Sequence, residues 1–342
     1  MRPSRAKVAA AFAAIYLLWG ATFLAIRYAV AEVPPMLTIA VRCLGGAALL
    51  YLWLLLRGER PSTAPRQWRT ALVAGVFLFL GCHSLLAWAE QRVSSGEAAL
   101  LMTSIPLWLV LLSSLRERRT PPAPVLAGLA LGVIGVAVLT VGQGGGSTAD
   151  RLWLILSALA WAVGSLVARH GARPASAVES TAMQLAAGGL VVLLASGLAG
   201  ELGAWRPAET SARGAASLAF LVVGGTVLGF GAFTWLLQVT TPAAVGTYAF
   251  VNPVVALLLA WMAGDGELTA RVLVGAGIVV AAVVLTWSGS TLAARRLRAE
   301  APAGSAPPAP ARAAAAPPAA AGGGILPAGR SHAAAAGGES AA

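Results

Sequence analysis

The sequence predicts an all-α integral membrane protein of ten transmembrane helices, arranged as two inverted five-helix repeats. Three observations lead there. Hydrophobic residues make up 58% of the 342 positions and charged residues 11%, too few charges to cover a soluble surface of that size. Apolar stretches long enough to cross a ~30 Å hydrocarbon core recur along the chain. One layout is also written twice. Trp19 and Arg27 match Trp161 and Arg169 at one constant offset, and Trp88, Gln91, Pro106 and Gly128 match Trp235, Gln238, Pro253 and Gly275 at another. An odd number of crossings separates the copies, which inverts one relative to the other.

The spans fall near 8–31, 36–56, 70–89, 97–115 and 124–142, then near 152–168, 180–200, 214–237, 242–262 and 270–288. The first repeat is therefore 8–142, after a short N-terminus at 1–7, and the second is 152–288. The tight turn at Thr240, Thr241 and Pro242 is where joining two spans would change the count. Ala29-Val30-Ala31 resembles a small-residue cleavage site, but the apolar run before it exceeds a signal peptide's core of about 7–15 residues. We read it as a retained span. Residues 299–342 are mostly Ala, Pro and Gly; they cannot bury a core and are expected to be a disordered cytoplasmic tail.

Orientation follows from the basic residues between spans. With the N-terminus inside, the inner segments hold Arg2, Arg5, Lys7, Arg57, Arg60, Arg66, Arg69, Arg116, Arg118, Arg119, Arg169, Arg173, Arg295, Arg296 and Arg298. The outer loops hold only Arg92, Arg151, Arg206, Arg213 and Arg271. Both termini are thus expected in the cytoplasm, the chain being multi-pass in the inner (plasma) membrane. The net charge of +11 comes from these scattered topology signals rather than from one patch, so nucleic acid is excluded as a partner. The expected partners are the lipid bilayer and a small molecule. Cys43 and Cys82 fall inside apolar runs with no metal-ligand spacing, and no Gly-rich phosphate loop occurs; no metal and no cofactor are expected. An intramembrane enzyme would need a nucleophile with a base, or a metal cluster, and neither pattern is present. A sensor or scaffold would normally carry a folded output domain, and the one sizeable soluble segment is the low-complexity tail.

Candidate sites begin at the prolines. Pro106 and Pro253 lie near the middle of matched spans, and each leaves a carbonyl four residues back, at Met102 and Ala249, without its helical partner. Such a break is a packing kink or the edge of a cavity. Tyr248 and Asn252, beside the second break, are four apart and share a helix face. Trp19 and Trp161 lie near the midplane, where an indole N–H must find a partner or line a cavity. Trp53, Trp68, Trp88, Trp153, Trp235 and Trp287 suit the interfacial belt. Arg42 is the deepest charge, with Glu90 and Glu97 as expected partners; Arg27 is an anchor near Glu32. Glu90 either carries a coupling proton or neutralises Arg42. Thr22 and Gln184 complete the candidate cavity set with Trp19, Arg42, Trp161, Tyr248 and Asn252. His83 is read as a satisfied core residue. Gly128 and Gly132, and Gly225 and Gly229, are read as helix-packing scaffold.

The chain then resembles a known family. Tyr16-Leu-Leu-Trp-Gly-Ala-Thr22, Pro34-Pro35, Val41-Arg42, Leu55-Leu-Arg-Gly58, Ala89-Glu90, Ser95-Gly96 with Ala98-Ala99, Ile105-Pro106-Leu107, Tyr248-Ala-Phe-Val-Asn-Pro-Val-Val255 and Gly266-Glu267 carry the likeness. It is similar to EamA-type ten-span exporters of the drug/metabolite transporter superfamily, in their YedA-like branch, over about residues 10–288. The resemblance implies an inner-membrane exporter of small metabolites or drugs, with a central cavity between two repeats. It implies no particular substrate.

Overall fold

A computed structural model describes residues 4–118, 120, 123–140, 146–239, 248–265 and 267–300. The expected turn at 240–242 and the tail beyond 300 lie outside the described residues, as do the side chains of Pro106, Gln238 and Trp287. Residues 298–342 form a unit of their own, and the helical body is the unit up to residue 297.

Every described element is helical. In the first half, α1 runs Arg5–Val30 and α2 Pro35–Leu56. Helix α3 (Pro65–Gly75) passes through a π-helical stretch, Val76–Ser84, into α4 (Leu85–Ala89). Helices α5 (Ser95–Met102) and α6 (Ile105–Glu117) make one interrupted span, and α7 is Ala123–Thr140. In the second half come α8 (Thr148–His170), α9 (Ala177–Leu198) and the short α10 (Glu201–Ala204). Helix α11 (Ala212–Phe220) passes through a second π-helical stretch, Leu221–Leu228, into α12 (Gly229–Val239). Helices α13 (Tyr248–Met262) and α14 (Ala270–Glu300) close the chain. Among the described residues, seven helical stretches are long and apolar enough to cross a membrane, and Ala123–Gly135, Val251–Met262 and Ala270–Ala282 are shorter apolar helices.

The starts follow capping chemistry. Ser4, Ser94, Ser147, Ser176 and Ser211 each offer a hydroxyl to a backbone N–H at the head of α1, α5, α8, α9 and α11. At Ser147 the Asp150 carboxylate returns the bond, completing a capping box.

The two expected proline breaks differ. The span is interrupted at Thr103 and Ser104, where Pro106 stands in the first turn of α6, a place that needs no N–H. Ser104 Oγ donates back to Leu101 O at 2.7 Å, and Thr103 Oγ1 to Ala99 O at 3.1 Å. Pro253 instead lies inside α13, and the helix runs through it. The expectation of a break there is corrected. Pro253 is near the described start of its helix, so its missing N–H removes one early bond rather than dividing the span.

The packing crosses between halves. Helix α1 lies against α11, α12 and α13, while α8 lies against α3, the first π stretch, α4, α5 and α6. Helices α2 and α9, the second span of each half, pack on each other. The close approach of α3 to α9 requires glycine: a Cβ on Gly75 would stand 2.8 Å from Gly188 Cα.

Candidate functional site

Three clusters form where the halves meet. The first surrounds Trp19 on α1. Its Nε1 donates to Gly225 O at 3.0 Å, a carbonyl of the second π stretch. Its ring meets Tyr248 edge-on at 5.0 Å, Phe230 edge-on at 5.4 Å and Phe233 at 5.2 Å. Trp19 and Tyr248, from opposite halves, are therefore in direct contact. Asn252, one turn along α13, is buried, and its amide Oδ1 has no hydrogen-bond partner among the described residues. Its backbone carbonyl lies against Gly20, where an added Cβ would stand 3.2 Å away. Thr22 spends its hydroxyl on Trp19 O at 2.6 Å, and its methyl fills the space over Gly225. Gly225 and Gly229 are thus more than scaffold. They leave room for Thr22 and for the Trp19 indole, and a side chain at either position would strike them.

The second cluster is the counterpart. Trp161 on α8 meets His83 edge-on at 5.4 Å. His83 and Phe230 stand at the same sequence offset as Trp88 and Trp235. Both first-span tryptophans therefore face a ring in the other half's π stretch or just past it, at the same distance. His83 is buried and its Nδ1 donates to Leu78 O at 2.7 Å, while Ser84 Oγ donates to Phe79 O at 3.0 Å. In the second stretch Thr226 Oγ1 donates to Leu221 O at 2.9 Å. Each of these side chains reaches a carbonyl five residues back. Wider π turns loosen backbone pairing and are frequent at functional sites. Gln184 on α9 stands apart from both clusters, donating to Ser180 Oγ at 3.1 Å.

Arg42 does not make the expected ion pairs. It is buried, and its Nε donates to Thr226 Oγ1 at 3.0 Å. Glu97 is taken by Arg151 of the other half at 2.6 Å. Glu90 lies beyond ion-pair distance from Arg42, although it feels the charge. Arg27 likewise pairs with Asp265 at 3.0 Å rather than with Glu32. The reason is shared: charges in lipid seek partners across the seam, and sequence proximity does not report those.

The third cluster is at the end read as outer. Here carboxylates of each half hold the other. Asp265 accepts from Ser95 N at 3.0 Å and Ser95 Oγ at 2.7 Å, at the head of α5. Glu201 accepts from Leu37 N at 2.9 Å and Met36 N at 3.4 Å, at the head of α2. Glu32 accepts from Ser211 Oγ and Ser211 N, both at 2.6 Å, at the head of α11. The hydroxyl first and then the backbone bond hold the Glu32 carboxyl below its usual range. Three helix N-termini are thus capped by a carboxylate from the opposite half, where unpaired N–H groups and the helix dipole favour negative charge. Arg151–Glu97 and Arg92–Asp150, the latter at 3.5 Å, add two cross-seam ion pairs.

Glu90 sits behind this clamp. It is fully buried, and neither carboxyl oxygen has a hydrogen-bond partner among the described residues. Arg27 Nη1 donates to the Glu90 backbone carbonyl while Nε holds Asp265. Burial, then the neighbouring Asp265 carboxylate, push the Glu90 carboxyl well above the usual carboxylate range; Arg27 and Arg42 pull it down. A cavity of about 550 Å³ opens at this end, lined among others by Arg27, Tyr28, Glu32, Gln91, Ala204 and Asp265.

Asp265, Ser95, Ser211, Glu201 and Thr226 carry these contacts, and none was picked out as a site residue from sequence. A signal was present. Glu32, Glu90, Glu97, Asp150, Glu201, Glu209, Asp265 and Glu267, eight of the thirteen acidic residues, lie at or near the outer loops. Among the described residues no His, Cys, Asp and Glu group could hold a metal ion.

A model of the EamA-like transporter family matches the chain twice, over residues 7–141 and 151–288. The uncharacterized inner membrane transporter YedA of Escherichia coli strain K12 is 30% identical over 283 residues, which cover 82% of this chain and 90% of that one. The uncharacterized transporter YoaV of Bacillus subtilis is 22% identical over 286 residues, 82% of this chain and 96% of its own. A crystal structure aligns with TM-score 0.58 at 24% identity, over 86% of this chain and 99% of that one, a likeness of fold.

Proposed function

The chain belongs to the EamA-like transporter family and is a multi-pass inner-membrane transporter; from that premise we propose that it exports small metabolites or drugs by alternating access between two inverted five-helix repeats. The observation that carries the proposal is the Asn252 amide oxygen, buried without a partner among the described residues at the seam between halves, one turn from the Trp19–Tyr248 contact. A buried amide oxygen left unpaired costs about 1–3 kcal/mol, a cost expected where a ligand group supplies the missing bond. The solute lies between Trp19, Tyr248 and Asn252 on one side and Trp161 on the other, with Arg42 and Thr22 bordering the same space. The double match of the family model and the mirrored tryptophan contacts support two repeats related by inversion. The cross-seam bonds of the clamp support reading this as a carrier whose halves are held together at the outer end, below the outer cavity. Glu90, buried and unpaired, is the group through which a proton gradient drives the exchange.

Both termini are cytoplasmic in this reading. A reporter fused after Arg298 should give cytoplasmic readout, and a periplasmic signal would mean that the number of spans is odd.

Purified protein in liposomes tests the function. A mixture of labelled amino acids, sugars and lipophilic cations is loaded, and efflux is followed by mass spectrometry with and without a pH gradient. At least one class should leave faster than from protein-free liposomes, and faster still with the gradient. Equal rates for every class would sink the proposal.

A further inference from the structure

We propose that Arg27, Asp265 and Ser95 form the outer gate, and that the proton on Glu90 decides whether it is shut. The inference rests on the alternating-access reading and names the device that switches it. Arg27 and Ser95 belong to the first half and Asp265 to the second, so their bonds span the seam that must part. The Arg27–Asp265 pair lines the outer cavity. Glu90 lies just behind, tied to the gate because Arg27 grips its backbone carbonyl.

One guanidinium therefore pairs with the Asp265 carboxylate and holds the backbone of the residue that carries the second carboxyl group. The charged groups facing the Glu90 carboxyl are Asp265, Arg27 and Arg42. Arg42 is turned to Thr226. While Glu90 is protonated, Arg27 serves Asp265 alone and the end stays shut. Loss of the proton leaves a carboxylate in a buried place with no hydrogen bond among the described residues. An uncompensated buried charge costs several kcal/mol. The chain lowers that cost by turning Arg27 toward Glu90 and admitting water, and both motions release Asp265 and Ser95. Loss of the Glu90 proton therefore opens the outer gate, and proton uptake closes it. The sign follows from the raised Glu90 carboxyl: closure holds through acidic pH and fails as pH rises past a point above the usual carboxylate range of about 4.3.

Spin-label distances in the full chain test this directly. Labels go on cysteines at Ala31 and Ala204, exposed residues lining the outer cavity from the two halves, in a Cys43→Ala, Cys82→Ala background. Reconstituted protein without solute should show one short distance at acidic pH and a growing longer one as pH rises. Glu90→Gln should stay short at every pH. Asp265→Asn should raise the long-distance population about tenfold at acidic pH, the factor carried by ~1.4 kcal/mol of lost pairing. Ser95→Ala, which removes one hydroxyl bond, should shift it the same way by less and serves if Asp265→Asn does not fold. A Glu90→Gln protein that still responds to pH overturns the inference, as does an unchanged distribution in both gate variants. Flux measured in the same liposomes separates the two readings. A moving gate without solute flux sinks carriage and leaves the gate; flux with a gate indifferent to Glu90 does the reverse.

Discussion

Arg151→Ala should destabilise the fold by about 3–5 kcal/mol, the largest loss expected along the seam. Arg151 Nε and Glu97 Oε1 are 2.6 Å apart, with both side chains more than nine-tenths buried. The pair joins the head of α5 in one half to the first turns of α8 in the other. Removing the arginine leaves Glu97 as an uncompensated carboxylate in a low-dielectric place. The value of the pair itself is much smaller, because both ions were desolvated to make it. Replacing Arg151 and Glu97 together with methionine, similar in bulk and uncharged, should therefore recover most of the loss. Thermal midpoints in detergent decide the matter. If single and double variants fall equally, the contact matters for its shape and not for its charge.

Asn252→Ala should lower transport about tenfold or more while leaving the unfolding midpoint unchanged or slightly raised. The two halves of the expectation come from one atom. Asn252 Oδ1 is buried with no partner among the described residues, so truncation removes an unsatisfied acceptor. A side chain that only packed would behave oppositely, with lower stability and flux falling only through lost protein. A solute bond of ~1.4 kcal/mol made during the translocation step corresponds to the tenfold loss. A cysteine at this position should react with a small aqueous thiol reagent and be protected by solute. If it is inert in every state while flux persists, the solute passes elsewhere.

The span layout was legible because a hydrocarbon core imposes length and composition directly on the sequence. The observed bounds of α2, Pro35–Leu56, and of the interrupted α5–α6 span, Ser95 to Glu117, fall within two residues of the expected 36–56 and 97–115. Trp19 and Tyr248 meet across the seam; from sequence, Trp19 stood near the middle of its span and Tyr248 beside Pro253 on the face of Asn252. The partners of Arg42, Arg27 and Glu97 were not legible. They lie across the seam, and nothing local distinguishes Thr226 from a neighbour on its stretch, or Asp265 from the other acidic residues near the outer loops. The π stretches were equally hidden. Val76–Ser84 and Leu221–Leu228 have the composition of any apolar helix, and their widening is set by side chains that return to carbonyls five residues back. Pro253 shows the converse: a strong local signal whose effect depends on where its helix starts, which composition does not give.

The exchange of leading helices between halves has a consequence for the ribosome. Residues 76–84 receive their cover from α8, which begins at Thr148. At about 5–20 residues per second, that cover arrives roughly 4–14 s later. Helix α1 waits longer still, since α11 to α13 are made late. During synthesis the Trp19 indole, the Arg27 guanidinium and the Glu97 carboxylate are therefore in the bilayer without Gly225, Asp265 and Arg151, the groups that later satisfy them across the seam. A nascent chain stopped near residue 145 holds all three and none of those partners, which makes it a substrate for membrane proteases rather than a half-sized carrier.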